Sequence, residues 1–221
     1  MKISVIIPCY NEADTIKSVI KAVPKEVLEI VVIDNNSTDK TEEIAKGLGA
    51  RVVNEKKQGY GAALKRGFKE ARGEIIATLD GDGQYPAEMI TEIANYLIEN
   101  NLDFISCSRF PLKNKNSLVL PRRIGNLICV LIVNFLFGLN LKDSQSGMWV
   151  FKKAIFNEIK LESDDMPLSE EIKIKVAKTP KLKFGEYPIP YYPRKGTSKF
   201  SFFKLGLINF AFLINLKIKN W

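Results

Sequence analysis

Two rhythms of apolar and polar positions alternate along the first hundred or so residues. Ile3 to Ile7, Leu28 to Ile33, Arg51-Val52-Val53, Glu74 to Ala77 and Asp103 to Cys107 are short apolar runs rich in Val and Ile, the pattern of buried strands. Between them apolar residues recur at helical spacing, as in Ile16, Val19, Ile20 and Val23, with Asn11 or Asp14 as cap and Pro24 as stop. Further helices are predicted from Thr38 or Asp39 to Gly47-Leu48-Gly49, from Gly59 to Ala71, and over 87–99. Strands alternating with helices at this spacing predict an α/β fold with a mostly parallel, doubly wound sheet. Three strand ends carry polar clusters, Tyr10–Glu12, Asp34–Asp39 and Asp80–Gln84. In such a sheet these loops share one edge, where ligands bind.

The rhythm changes in the second half. Ile124–Leu141 is eighteen residues without a charge, behind Arg122-Arg123, and Leu205–Leu216 is twelve between Lys204 and Lys217. A spanning helix needs about 20 apolar residues. The first run also holds Asn126, Asn134, Asn140, Gly125 and Gly138, and one crossing would divide Ser146-Gly147 from the Asp80 loop. Helices lying along a membrane surface, or partly buried, are therefore expected rather than spanning ones.

Charge sharpens this division. The chain of 221 residues carries a net charge of +8, but residues 1–100 hold 13 Lys/Arg against 16 Asp/Glu, whereas 101–221 hold 20 against 9. No acidic residue occurs from Tyr187 onward. A basic half predicts an anionic partner. Its lysines interleave with long aliphatic runs rather than with exposed aromatics, which favours an anionic membrane over nucleic acid. The sequence contains no histidine, which excludes His-ligated zinc and histidine bases. Cys9, Cys107 and Cys129 lack metal-ligand spacing and are expected to be buried thiols in a reducing compartment. The strand pattern starting at Met1 predicts no signal peptide.

The candidate chemistry centres on Asp80-Gly81-Asp82-Gly83-Gln84. Two carboxylates and an amide in a glycine-rich turn after a strand are hard oxygen ligands suited to Mg²⁺ or Mn²⁺ with a diphosphate, although a plain Asp-Gly turn has the same residues. No Gly-x-Gly-x-x-Gly follows the first strand, which argues against a dinucleotide cofactor. In the basic half, Arg194-Lys195-Gly196-Thr197-Ser198-Lys199 offers cations and hydroxyls around a glycine, either a phosphate cradle or a solvated loop.

Taken in order, Pro8-Cys9-Tyr10-Asn11-Glu12, Val32 to Thr41 with Asp34-Asn35-Asn36-Ser37, and Asp80 to Gln84 resemble the opening motifs of family 2 glycosyltransferases of the GT-A fold. That resemblance implies Pro8, Tyr10, Glu12, Asp34, Asp80, Gly81 and Asp82 as nucleotide-sugar contacts, and Asp80, Asp82 and Gln84 as metal ligands. The second motif departs from the family's frequent Asp-Asp-Gly-Ser, keeping its first aspartate. Asp143 to Phe151 and the Arg194–Lys199 element resemble those of dolichyl- and polyprenyl-phosphate hexose synthases within the family. The resemblance implies residues 1–117 as a nucleotide-sugar and metal half and 118–221 as an acceptor and membrane half of one catalytic domain. It implies an inverting hexosyl transfer from a UDP- or GDP-sugar to a lipid phosphate on the cytoplasmic membrane face. Arg109, Arg122, Arg194 and Lys199 are the candidates for gripping phosphates alongside catalytic Asp82; Arg122, Arg123, Arg194, Ser198 and Lys199 are those for the acceptor phosphate. Two alternatives stay open: a sugar-hydroxyl acceptor with Glu170 or Glu171 as base, and a non-catalytic binding module on the membrane.

Overall fold

A computed structural model describes residues 1–112, 114, 117–194 and 202–219, with the side chains of 202–205 excepted. Its strands are β1 (Ile3–Cys9), β2 (Glu29–Asp34), β3 (Arg51–Asn54), β4 (Ile75–Thr78), β5 (Phe104–Ser108), β6 (Trp149–Lys152) and β7 (Phe184–Pro188). Its helices are α1 (Ile16–Ala22), α2 (Thr41–Gly47), α3 (Tyr60–Glu70), α4 (Ile90–Glu99), α5 (Leu120–Phe137), α6 (Leu168–Lys178) and α7 (Phe202–Ile218). The strands form one sheet in the order β3-β2-β1-β4-β6-β5-β7.

Four parallel strands, β3-β2-β1-β4, make the expected doubly wound part. The sheet is mostly parallel, as expected, and is mixed only through β6, which runs antiparallel to both β4 and β5. Neither β6 nor β7 is among the predicted strands. Both come from the second half of the chain, so the two halves share one sheet.

Strand alternation divides the core. Val5 and Ile7 face one side of β1 with Ile16, Val19 and Ile20 of α1 and Ile90 and Ile93 of α4; Ile6 faces the other with Leu64 and Phe68 of α3 and Ile172 of α6. Gly67 is needed in α3, since a Cβ there would lie 2.2 Å from a methyl of Ile6. A third cluster lies away from the sheet, where Val133 and Phe137 of α5, Leu213 and Leu216 of α7 and Ile174 of α6 meet.

Helix α5 begins with Pro121 in its first turn, an ordinary start signal, and ends on Gly138 in the left-handed conformation (φ 63°), an ordinary stop signal. It is long and apolar enough, by length and composition, to cross a membrane, yet only 22% of it is buried. Leu120, Ile124, Leu127, Leu131 and Phe135 stand exposed, Phe135 at 85%. Leu207 and Ile218 of α7 are exposed likewise.

Candidate active site

Because β1, β2 and β4 are parallel neighbours, their carboxyl ends open on the same edge, and the three polar clusters meet there. Asn11 takes the left-handed conformation (φ 55°), tolerable for asparagine, and this turns the chain toward the loop after β2. Its N–H donates to Ser37 Oγ at 3.0 Å, and Thr38 N–H donates to Asn11 Oδ1 at 2.7 Å. Neither Asn11 nor Asp14 caps α1; the helix begins after Thr15, whose hydroxyl donates instead to the carbonyl of Gly81 at 2.7 Å. The first loop is therefore tied to the second and to the Asp80 turn. The departure at Asn35 has a physical reason: Nδ2 donates to the carbonyls of Glu55 and Lys57 while Oδ1 accepts from Gly59 N–H. A carboxylate there would lack the two donated bonds. Asp34 accepts from Ser37 N–H through Oδ2, and its buried Oδ1 has no partner.

The Asp80 turn packs closely against its surroundings. A Cβ on Gly81 would lie 2.9 Å from Cys9 Sγ, and one on Gly147 would lie 3.3 Å from both Asp80 carboxylate oxygens. Tyr60 OH donates to Asp80 Oδ1 at 3.1 Å, and Gln84 N–H donates to Asp82 Oδ1 at 3.1 Å. Burial, with the nearby charge of Asp82, pushes the Asp80 carboxyl up to about 7. Burial also raises Asp82, against the pull of Arg194. Two desolvated carboxylates so placed are what a dication would relieve, and hard oxygens fit Mg²⁺ or Mn²⁺. Among the described residues no group of three His, Cys, Asp or Glu forms a metal cluster. Water and phosphate oxygens would then complete the shell, as Mg²⁺ sites commonly have it.

Arg194 reaches into this cradle, with Nη1 3.1 Å from Asp82 Oδ2 and Nη2 3.7 Å from Glu12 Oε1. Gln84 holds the segment that carries it: its Nε2 donates to the carbonyl of Tyr192 at 3.0 Å. Arg109 has a different environment from a phosphate-gripping cation. It is buried in a two-point ion pair with Asp143 (Nε–Oδ2 2.7 Å, Nη2–Oδ1 2.8 Å), with Asn126 Oδ1 3.2 Å from Nη2 and the Tyr191 ring beneath it. Burial works against both charges, but each holds the other ionised: Arg109 is raised and Asp143 lowered. Arg122, in the first turn of α5, lines the cavity described below, whereas its neighbour Arg123 does not. Ser198 and Lys199 lie outside the described residues.

Neither candidate base faces open space. Glu171 is fully buried, 2.8 Å from Lys175 Nζ, and accepts the N–H groups of Glu162 and Ser163. Glu170 is 1% exposed and accepts from Gln145 Nε2, which stands on the cavity side of it. Both candidate bases of the hydroxyl-acceptor alternative are thus packed inside the fold, Glu170 directly behind Gln145. Cys9 and Cys107 are buried as expected, but Cys129 is only partly so.

Side chains without a predicted role complete the site: Tyr60 on Asp80, Asp143 and Asn126 on Arg109, and Lys173. The buried Lys173 ammonium donates to the carbonyls of Ser144 and Ser146 at 2.7 Å, clamping the loop that brings Gly147 to Asp80. The motif Asp143–Gly147 signalled this loop; a buried lysine two turns into a charged helix gave no such signal.

All of this encloses one cavity of about 780 Å³. At one end are Pro8, Tyr10, Glu12, Asp80 and Asp82, with Arg194 beside them; at the other, Ile128, Cys129 and Ile132 of α5 face Leu207, Phe210 and Leu213 of α7.

Residues 4–160 match the family model for glycosyl transferase family 2. The chain is similar to a dolichyl-phosphate hexose transferase of Haloferax volcanii, 31% identical over 209 residues covering 92% of this chain and 89% of that protein. It is also similar to a dolichol-phosphate mannosyltransferase of Pyrococcus furiosus, 29% identical over 187 residues, which spans 79% of this chain but 53% of that protein. Among solved structures, glucosyl-3-phosphoglycerate synthase of Mycobacterium tuberculosis with Mn²⁺, UDP-glucose and phosphoglyceric acid superposes with a TM-score of 0.76 at 19% identity, covering 98% of this chain and 79% of that one. The last likeness speaks for the fold, and the GT-A architecture expected from the sequence is borne out by it. With a family model over most of its length and a relative 31% identical nearly end to end, this chain belongs to glycosyl transferase family 2.

Proposed function

We propose that this chain transfers a hexose from a UDP- or GDP-sugar to the phosphate of a dolichyl- or polyprenyl-type lipid, at the cytoplasmic membrane face and with inversion. The observation that carries the reading is the two-ended cavity, acidic and polar beside β1 and β4 and apolar between α5 and α7. A nucleoside diphosphate suits the first end and an isoprenoid chain the second. The names of the relatives point the same way.

Asp80 and Asp82 would hold Mg²⁺ or Mn²⁺, with Gln84 as the third candidate. The bound ion would neutralise charge developing on the leaving nucleoside diphosphate. Pro8, Tyr10, Glu12 and Asp34 would hold base and ribose, and the orphaned Asp34 Oδ1 is an acceptor suited to that use. Arg194, already beside Asp82, would shift from the carboxylates to the diphosphate, a stronger two-point partner for a guanidinium. Arg122 faces the cavity from α5 and would meet the acceptor phosphate; Arg109 acts through position, holding Asp143 and the loop behind it. The lipid phosphate has a second pKa of about 6 and is anionic at neutral pH, so it attacks the anomeric carbon without a base. That suits a site whose two candidate bases, Glu170 and Glu171, do not line the cavity. In-line attack inverts the anomeric centre. Arg122, Arg123 and the exposed apolar face of α5 would rest on an anionic bilayer.

The test is direct. Purified protein with Mn²⁺ and labelled UDP- or GDP-sugars is given either polyprenyl phosphate or the matching polyprenol. A lipid product labile to mild acid is expected from the phosphate alone. Equal transfer to the polyprenol would overturn the reading.

A further inference from the structure

The cavity wall contains one polar patch that neither the metal cradle nor an isoprenoid chain uses. Gln145 lies two residues before Gly147, whose backbone packs on the Asp80 carboxylate, so its Cα is within about 7 Å of that glycine's. That distance is within the span of one sugar ring from the place where the donor's diphosphate would sit. The Gln145 side chain faces the cavity, and so does that of Asn209 from α7. Gln145 Nε2 donates to Glu170 Oε1, and Asn209 Nδ2 lies 3.4 Å from Gln145 Oε1.

Two atoms of this trio have no partner, although both residues are at least 97% buried: Glu170 Oε2 and Asn209 Oδ1. Unpaired buried polar atoms cost free energy in the absence of a ligand, and they are best explained by one that supplies what is missing. Burial pushes the Glu170 carboxyl up to about 8, and from behind Gln145 its Oε1 accepts from Nε2 and holds that side chain in place. Of Glu170 and Asn209, only Asn209 lines the cavity, beside Gln145, and an alcohol O–H is the donor that its Oδ1 lacks. The loop bearing Gln145 is also fixed from behind. The carbonyl of Ser146 accepts from Lys173 Nζ, Trp149 Nε1 and Ser169 Oγ, so Gln145 has little freedom to turn away.

We propose that Gln145, supported by Glu170 and Asn209, forms the subsite that reads the hydroxyl groups of the transferred sugar and so sets which hexose the chain accepts. The proposal rests on the donor reading given above but does not depend on the acceptor. A site built to hydrogen-bond a hydroxyl discriminates strongly against a sugar that presents it elsewhere, because its buried polar atoms are then left unpaired.

Calorimetric titration of the full chain in Mn²⁺, with UDP and GDP free or linked to glucose, mannose, galactose or N-acetylglucosamine, reads the sugar's contribution without any lipid. The wild type is expected to prefer one sugar over its epimers by about tenfold or more. Gln145→Ala should bring the epimers within about threefold of one another while the affinity for the free nucleoside diphosphate changes less than about twofold. Asn209→Leu, on a different helix, should narrow the range in the same direction and serves if the first variant folds poorly. The proposal is overturned if the wild type shows no epimer preference, if both variants keep the wild-type ranking, or if free-diphosphate affinity falls in step with that of the sugars. Epimer discrimination that survives while no lipid product forms would leave this subsite standing and remove the lipid acceptor. Lipid product without discrimination would do the reverse.

Discussion

The first 110 residues and the last hundred handle polar groups in opposite ways. Near the N-terminus, polar residues sit on loops at the ends of parallel strands, and their hydrogen bonds run between those loops: Asn11 to Ser37, Thr15 to Gly81, Asn35 to Gly59. In the last hundred, charged groups are buried and paired, Asp143 with Arg109 of the first part and Glu171 with Lys175, while the surface of α5 is left apolar. The arrangement fits the surroundings proposed for each part. A loop edge that takes up a phosphate-bearing ligand needs polar groups at its rim. A helix that rests on hydrocarbon needs them turned inward and paired.

The largest way to break the comparison is to remove one group from the rim. Asp82→Ala should lower kcat/KM by about 10³-fold, the scale of losing a main electrostatic contact in the transition state, with vesicle binding and circular dichroism unchanged. EDTA should do the same to the wild type and Mn²⁺ should reverse it. Full turnover in metal-free buffer would remove Asp80 and Asp82 from the chemistry.

A middle-sized effect is expected on the other side. Leu131→Asp with Phe135→Asp puts two charges on the exposed face of α5, away from the cavity. Each side chain is worth about 1.5–3 kcal/mol when buried in an apolar phase, so co-sedimentation with anionic vesicles should fall at least about tenfold. Binding of nucleoside diphosphate should not change. If vesicle binding persists, the apolar surface has some other use.

The smallest effect concerns pH. Glu170 binds its proton up to about pH 8 in the folded chain, well above its ordinary range in an unfolded one. Between those limits the folded state holds the extra proton, so stability declines as pH rises through them. Glu170→Gln keeps the acceptor for Gln145 and abolishes this loss. It should be more stable than the wild type by about 1–2 kcal/mol at pH 8, with the gap closing toward pH 5, in urea titrations at both values. An equal difference at both pH values would show that the carboxyl does not titrate as described.

Much of the first part was legible in the sequence because its information is local. Apolar runs of strand length alternate with helical spacing from Ile3 to Cys107, and each strand end announces its cluster. The rest was hidden by long-range pairing. Trp149–Lys152 is a strand because β4 and β5 lie open on either side of it, not because four residues carry a period. Glu170 and Glu171 are charged residues in a helix with Lys173 and Lys175 nearby, a pattern that reads as a solvated face; only the packing of α6 shows all four to be buried. Gln84 was read for its oxygen, and its amide nitrogen turns out to hold the segment leading to Arg194.

The place of β6 bears on how the chain is made. Strand β5 pairs only with β6 and β7, and β6 begins about forty residues after β5 ends. At synthesis rates of about 5–20 residues per second, the nascent chain carries an unpaired strand, destined to be fully buried, for roughly 2–8 s before the first neighbour exists. The apolar helix α5 is translated within that interval. Two sticky segments thus leave the ribosome before the strand that secures one of them, and chaperones or a nearby bilayer have their best opportunity to act then.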